Sequence, residues 1–149
     1  NFQGYTTRDE SDLLGLGVSS ISNIGGSFSQ NHKDLKAYYR AVDEHGNALE
    51  KGLTLNDDDI IRGFVIKSLM CNLHLDKAEF ARMFNVEFDQ YFADDISSLD
   101  TFIADGLLVN NAKEIQIAPK ARLLIRNICM TFDAYMKQHL NQQRFSRVI

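Results

Sequence analysis

A chain of 149 residues, 44% hydrophobic and 24% charged with a single proline, suffices for one domain with a core, or for a small domain plus part of another. Its composition excludes a disordered chain. Its apolar runs fall far below the roughly 20 residues of a membrane-spanning helix. The opening Asn1-Phe2-Gln3-Gly4-Tyr5 has neither the basic start nor the apolar core of a signal peptide. With no initiator methionine, residue 1 is expected to lie inside a longer protein. The net charge of −4 is unevenly spread: residues 1–56 carry −2, residues 57–110 carry −7 and residues 111–149 carry +5. An acidic middle and a basic end attract each other within one fold, or the basic end serves a partner.

Five of the nine glycines fall in the first 30 residues. The run Leu13-Leu14-Gly15-Leu16-Gly17-Val18-Ser19-Ser20-Ile21 reads as a strand covered on both faces, as in a parallel α/β sheet. Its glycines suggest that another backbone or a ligand approaches closely. Asn31 is the expected cap of a helix over Lys33–Val42, with Leu35, Tyr38, Tyr39 and Val42 on one face. His45-Gly46-Asn47 ends it, and Leu49–Leu55 connects onward.

From Asn56 the character changes. Asp57, Asp58 and Asp59 suit the first turn of a helix, where the dipole favours negative charge; Ile61, Phe64, Val65, Leu69 and Leu73 follow at helical spacing. Asp76-Lys77-Ala78-Glu79 has a capping-box arrangement and predicts a short helix ending near Phe84. A third helix is predicted over Glu87–Asp105, stopped by Gly106. Leu107–Val109, a turn at Asn110-Asn111 and the alternating Glu114–Ile117 read as a hairpin. Pro119 then opens a last helix carrying Leu124, Ile125, Ile128, Phe132, Tyr135 and Met136.

Three helices, a hairpin and a closing helix are the order of a winged-helix domain, so DNA binding is the first function to test. The helix that would enter the groove holds Glu87, Asp89, Asp94, Asp95, Asp100 and Asp105 and no cation. Affinity for a polyanion comes largely from cations, so no nucleic-acid partner is expected. The four histidines lack a second ligand at helical spacing, and no metal site is expected. Asp94-Asp95 and Asp57-Asp58-Asp59 fit a solvated face and a helix start better than acid–base chemistry. Cys71 and Cys129, 58 positions apart inside apolar helical patterns, read as buried free thiols of a protein in the reduced cytoplasm.

Several segments match a known family. Asn1-Phe2-Gln3-Gly4-Tyr5-Thr6-Thr7, the run Asp12 to Ser22 and the closing Phe145-Ser146-Arg147-Val148-Ile149 resemble the oxygen-independent coproporphyrinogen III oxidases. Val65 to Asn72 and Arg122 to Met130 are similar too. The resemblance covers essentially the whole chain and implies a radical S-adenosylmethionine enzyme. In that family a three-cysteine motif on a partial β/α barrel holds a 4Fe–4S cluster that cleaves S-adenosylmethionine. The radical so formed abstracts hydrogen from a propionate, which becomes a vinyl with loss of carbon dioxide; this happens twice, giving protoporphyrinogen IX in heme biosynthesis. The three-cysteine motif is absent here.

The fold class expected is therefore α+β. Residues 1–55 form the C-terminal end of the incomplete barrel, and residues 56–149 a mostly helical, winged-helix-like domain with a small antiparallel hairpin. By the resemblance, Phe2, Gln3 and Ile21 correspond to positions lining the pocket of a second S-adenosylmethionine molecule; no catalytic residue and no metal ligand is expected in this chain. Phe2 is suited to covering a ligand face, Gln3 offers an amide donor and acceptor, and Ile21 sits where a barrel strand would end. Core packing for Phe2 and Ile21 and a solvated Gln3 are the alternatives. The expected partners are the rest of the barrel in the same chain and coproporphyrinogen III, with no membrane and a monomeric parent. The fragment alone is expected to be inactive. The competing reading, a winged-helix-like interaction or regulatory module without activity, rests on the helical half alone.

Overall fold

The computed structural model describes residues 12–136. The chain divides into two compact units, residues 1–60 and residues 61–149.

In the first unit, strands β1 (Ile21–Ile24) and β2 (Ser27–Asn31) form a hairpin, and β3 (Leu49–Thr54) adds to the other side of β2. All pairings are antiparallel, in the order β1-β2-β3. The turn is Gly25-Gly26, with φ of 55° and 74°. Two successive left-handed residues make the tight turn whose twist matches the strands, and glycine supplies them without strain. Helix α1 (Leu35–His45) links β2 to β3; Asp34 accepts from the Ala37 amide at 2.9 Å, and Gly46 closes the helix at φ 70°.

Two expectations are corrected here. Leu13–Ile21 is not a two-sided parallel strand. Leu13 makes one antiparallel bridge to Asn23, and residues 14–20 form a loop with Leu14 and Leu16 exposed. Parallel pairing needs a second strand brought back by a long crossover, whereas the Gly25-Gly26 turn brings an antiparallel partner within a few residues. Asn31, read as a helix cap, lies in β2, and the cap falls at Asp34.

The faces of this sheet explain its burial. Asn23, Phe28 and Leu53 are cross-strand partners, as are Ile21, Gln30 and Lys51. Ile21, Phe28 and Leu53 therefore share one face, and they remain 51%, 40% and 48% exposed. Among the described residues of this unit Ala48 is the one buried apolar side chain. The unit leaves three large apolar side chains exposed on a face shared with Asn23, Gln30 and Lys51, and its described residues bury little apolar surface.

Helix α2 (Asp57–Asn72) starts at a reciprocal box: Asn56 Oδ1 accepts from the Asp59 amide at 2.9 Å, and Asp59 Oδ2 from the Asn56 amide at 3.0 Å. The three aspartates occupy its first turn, as the sequence predicts. Strand β4 (His74–Asp76) runs directly into α3 (Lys77–Phe84), where Asp76 Oδ1 accepts from the Glu79 amide at 2.8 Å and Asn85 ends the helix at φ 55°. Gly106 terminates the next helical stretch as expected. Its amide donates to Ile103 O and that of Leu107 to Phe102 O, both at 2.9 Å, the paired bonds of a Schellman end. The predicted hairpin is β5 (Leu108–Asn110) and β6 (Glu114–Ile117); β6 also pairs with β4, giving the order β4-β6-β5.

The two long helices predicted here are segmented. Residues 88–104 form α4 (Phe88–Tyr91), α5 (Ala93–Ile96), a 3₁₀ turn (Ser97–Leu99) and α6 (Asp100–Ala104). The first break is at Phe92, which leaves helical geometry at φ −102° and ψ 24° while its ring meets Phe132 edge-on at 5.3 Å. After Pro119 the chain runs as a 3₁₀ helix (Pro119–Leu124), then α7 (Ile125–Cys129) and a final 3₁₀ turn (Met130–Phe132). The core of this unit is aromatic at its centre. Phe80 packs on Phe84, Phe88 and Phe92 at 5.1, 5.3 and 5.9 Å between ring centroids, with Val65, Leu69, Leu75, Leu99, Ile115, Ile117 and Ile128 around the cluster. No described helix is long and apolar enough to cross a membrane.

Candidate functional site

Of the three positions linked to a cofactor pocket, Phe2 and Gln3 lie outside the described residues, and Ile21 is the first residue of β1. The loop before it is anchored by backbone and side-chain hydrogen bonds at both ends. The Leu13 and Asn23 amides exchange bonds at 2.8 Å, and the Ser19 amide donates to His32 O at 2.8 Å. The Gly15 amide donates to Ser22 Oγ at 3.0 Å, which satisfies that buried hydroxyl. Asn31 Nδ2 donates to Gly17 O at 2.9 Å and to Ser20 Oγ at 3.0 Å.

Gly15 is required by space. A Cβ there would stand 2.5 Å from Ile21 O. Gly17 is required by conformation, at φ 92°. The close approach suggested by these glycines is thus made at Gly15 alone, by the protein's own backbone, and nothing lies within 4 Å of a Cβ at Gly17. Ile21, opposite Gln30, keeps half of its side chain exposed.

In the second unit three ion pairs join side chains distant in sequence. Arg62 Nη1 donates to Asp95 Oδ2 at 3.1 Å and to Phe132 O at 3.0 Å, and its guanidinium lies 5.3 Å over the Phe92 ring. Asp95, assigned to a solvated face by its sequence context, is 4% exposed. Lys77, equally buried, reaches Asp89 at 2.6 Å. His74 Nε2 and Glu114 Oε2 are 2.8 Å apart across β4 and β6. Among the described residues no three His, Cys, Asp or Glu side chains gather as metal ligands. Cys129 is buried and Cys71 partly so; desolvation, then the neighbouring Cys71, pushes the Cys129 thiol up to about 12.

The surface of the last segment is basic and carries apolar side chains. A groove lined by Leu73, Val109, Gln116, Ile117, Pro119 and Arg122 runs beside β5 and β6. Arg122 and Arg126 are exposed and have no ion pair with described residues, and Leu123 between them is 94% exposed. The sequence puts these basic residues on the last predicted helix, whose apolar side chains suit packing. The signal passed over there is an apolar residue flanked by cations on a short element.

Residues 55–124 match the HemN C-terminal domain family. The whole chain is 54% identical to the oxygen-independent coproporphyrinogen III oxidase of Escherichia coli K12, covering 33% of that protein. It is 48% identical over 153 aligned residues to the enzyme of that name from Synechocystis, also covering 33% of it. Its structure superimposes on the coproporphyrinogen III oxidase (HemN) of E. coli, described as a radical SAM enzyme. The TM-score is 0.83 at 53% identity, over 91% of this chain and 31% of that one. The chain spans about a third of the length of the curated relatives it matches. Sequence and fold point the same way: this chain is similar to the portion of the oxygen-independent coproporphyrinogen III oxidases that carries the HemN C-terminal domain, and residues 55–124 match that domain's family.

Proposed function

We propose that the chain is the C-terminal part of an oxygen-independent coproporphyrinogen III oxidase, which oxidatively decarboxylates two propionates of coproporphyrinogen III to the vinyls of protoporphyrinogen IX. The observation that carries this reading is 54% identity over the full chain. Residues 1–55 would be the C-terminal end of a partial β/α barrel, and residues 56–149 a winged-helix-like domain covering the active site. The bare sheet face of Ile21, Phe28 and Leu53 supports the first assignment. Large apolar side chains left exposed beside so little buried apolar surface are what a piece of a larger domain leaves uncovered. The β4-β6-β5 sheet beside α2 and α3 supports the second.

Ile21, half-exposed at a strand end, fits an apolar contact to S-adenosylmethionine, with Phe2 and Gln3 as its partners in that pocket. The cluster does not fit this chain, whose two cysteines are 58 positions apart and whose described residues gather no ligand set. Its site belongs to the remainder of the parent, and the chain alone is inactive. The cluster and S-adenosylmethionine supply hydrogen-atom abstraction; this portion contributes pocket wall and cover. The parent acts in the cytoplasm as a monomer, without nucleic acid. Glu87, Asp94, Asp100 and Asp105 are exposed and would repel a polyanion. A regulatory winged-helix module would leave the likeness of residues 1–54 unexplained.

The test is truncation of the full-length enzyme after residue 56. The reading expects cluster absorbance to survive while turnover of coproporphyrinogen III collapses. Loss of the cluster, or full activity without residues 57–149, would contradict the division of labour. In the intact enzyme, Gln3→Ala and Ile21→Ala should raise the S-adenosylmethionine requirement; unchanged behaviour in both would return these residues to packing.

A further inference from the structure

We propose that the groove beside β5 and β6 receives a propionate arm of the tetrapyrrole, with Arg122 as its carboxylate receptor; this rests on the activity proposed above. The groove walls are apolar at Leu73, Val109, Ile117 and Pro119, and one charged residue, Arg122, lines it. A reduced tetrapyrrole is an apolar ring edged with carboxylates, so this pairing of apolar wall and cationic rim complements it in both respects. Arginine suits the rim. Its planar fork binds a carboxylate through two parallel N–H donors and keeps its charge at any working pH.

Among the cations of the unit, Arg122 is the one that lines this groove, and it is not tied up elsewhere. Arg62 and Lys77 are committed to Asp95 and Asp89. Lys120 donates to Asp105 O at 2.9 Å. Arg122 has no acidic partner among the described residues, and exposed Arg126 adds positive charge nearby in a segment carrying +5 overall. Leu123, 94% exposed, would extend the apolar surface toward a ring.

The experiment is anaerobic steady-state kinetics of the full-length enzyme, comparing wild type, Arg122→Gln, Arg122→Lys and the exposed control Arg40→Gln on α1. Loss of a charge-assisted contact should raise KM for coproporphyrinogen III roughly tenfold in Arg122→Gln with kcat nearly unchanged. Arg122→Lys should recover part of the loss, and Arg40→Gln should match wild type. Added salt should raise KM more steeply in wild type than in Arg122→Gln. An unchanged KM in Arg122→Gln, with wild type active, would overturn the inference and leave the proposed activity standing. A lowered melting temperature in Arg122→Gln would place the side chain in an internal contact and overturn it too. A wild-type enzyme with its cluster intact and no turnover would remove the activity, and this inference with it.

Discussion

Replacing Asp95 by alanine removes a buried carboxylate from the Arg62 guanidinium. The Arg62 side chain is 19% exposed and that of Asp95 5%, so both charges have given up most of their hydration. Removing one partner of such a pair typically costs about 3–5 kcal/mol, because the other charge stays buried and uncompensated. Here Arg62 keeps its bond to Phe132 O and its place over the Phe92 ring. Those contacts hold the loss to the lower end, about 3 kcal/mol. For a unit of residues 61–149 that corresponds to a fall in melting temperature on the order of 10–20 °C. Replacing both residues with apolar ones of similar volume, Arg62→Met with Asp95→Leu, should restore most of the stability, since desolvation is then no longer opposed. Urea unfolding followed by far-ultraviolet circular dichroism on the two singles to alanine and their double gives the coupling. A single Asp95→Ala cost below about 1 kcal/mol, or singles that add to within about 0.5 kcal/mol in the double, would refute the reasoning.

Two further outcomes follow from local geometry. With its thiol pushed up to about 12 from 9.0 by burial, Cys129 should resist iodoacetamide at pH 8 in the folded protein while Cys71 reacts faster. Because the folded state holds this proton more tightly than the unfolded one, its contribution is fully present below pH 9 and is lost as pH rises toward 12. Urea midpoints should fall across that window, and a Cys129→Ala variant should show a shallower fall; equal slopes would contradict the assignment. Gly15→Ala should push the loop off β1, because the new Cβ meets the Ile21 backbone rather than a side chain able to move. The Asn23 amide, bonded to Leu13 O, should then exchange faster, and unchanged protection would sink the idea.

Much of the second unit is legible because its signals are local. Asp57–Asp59 open α2, Asp76 caps α3, Gly106 ends α6, and Asn110-Asn111 precede the returning strand, each through bonds within a few residues. The segmentation of residues 88–104 was not legible. Phe88, Phe92 and Leu99 keep helical spacing, and the break at Phe92 follows from rings distant in sequence. Asp95 was misread although it is in phase with Phe88 and Phe92, and Arg62 with Val65 and Leu69. A charge in phase with a buried stripe is the signal for an internal ion pair. In the first unit the apolar run Leu13–Ile21 reads as a parallel strand, yet residues 14–20 form a loop and the hairpin begins only at Ile21, where the glycine pair at 25 and 26 supplies its turn. Of the positions proposed for the cofactor pocket only Ile21 is among the described residues, and the role proposed for it rests on family likeness rather than on any pattern in composition or spacing.

The most direct test of the account is anaerobic incubation of the full-length, cluster-loaded protein containing this chain with coproporphyrinogen III, S-adenosylmethionine and a low-potential reductant, with products separated chromatographically. The account expects protoporphyrinogen IX to accumulate together with cleavage of S-adenosylmethionine. Cleavage without consumption of coproporphyrinogen III, by a protein whose cluster is intact, would contradict it and assign the chain to a different radical enzyme.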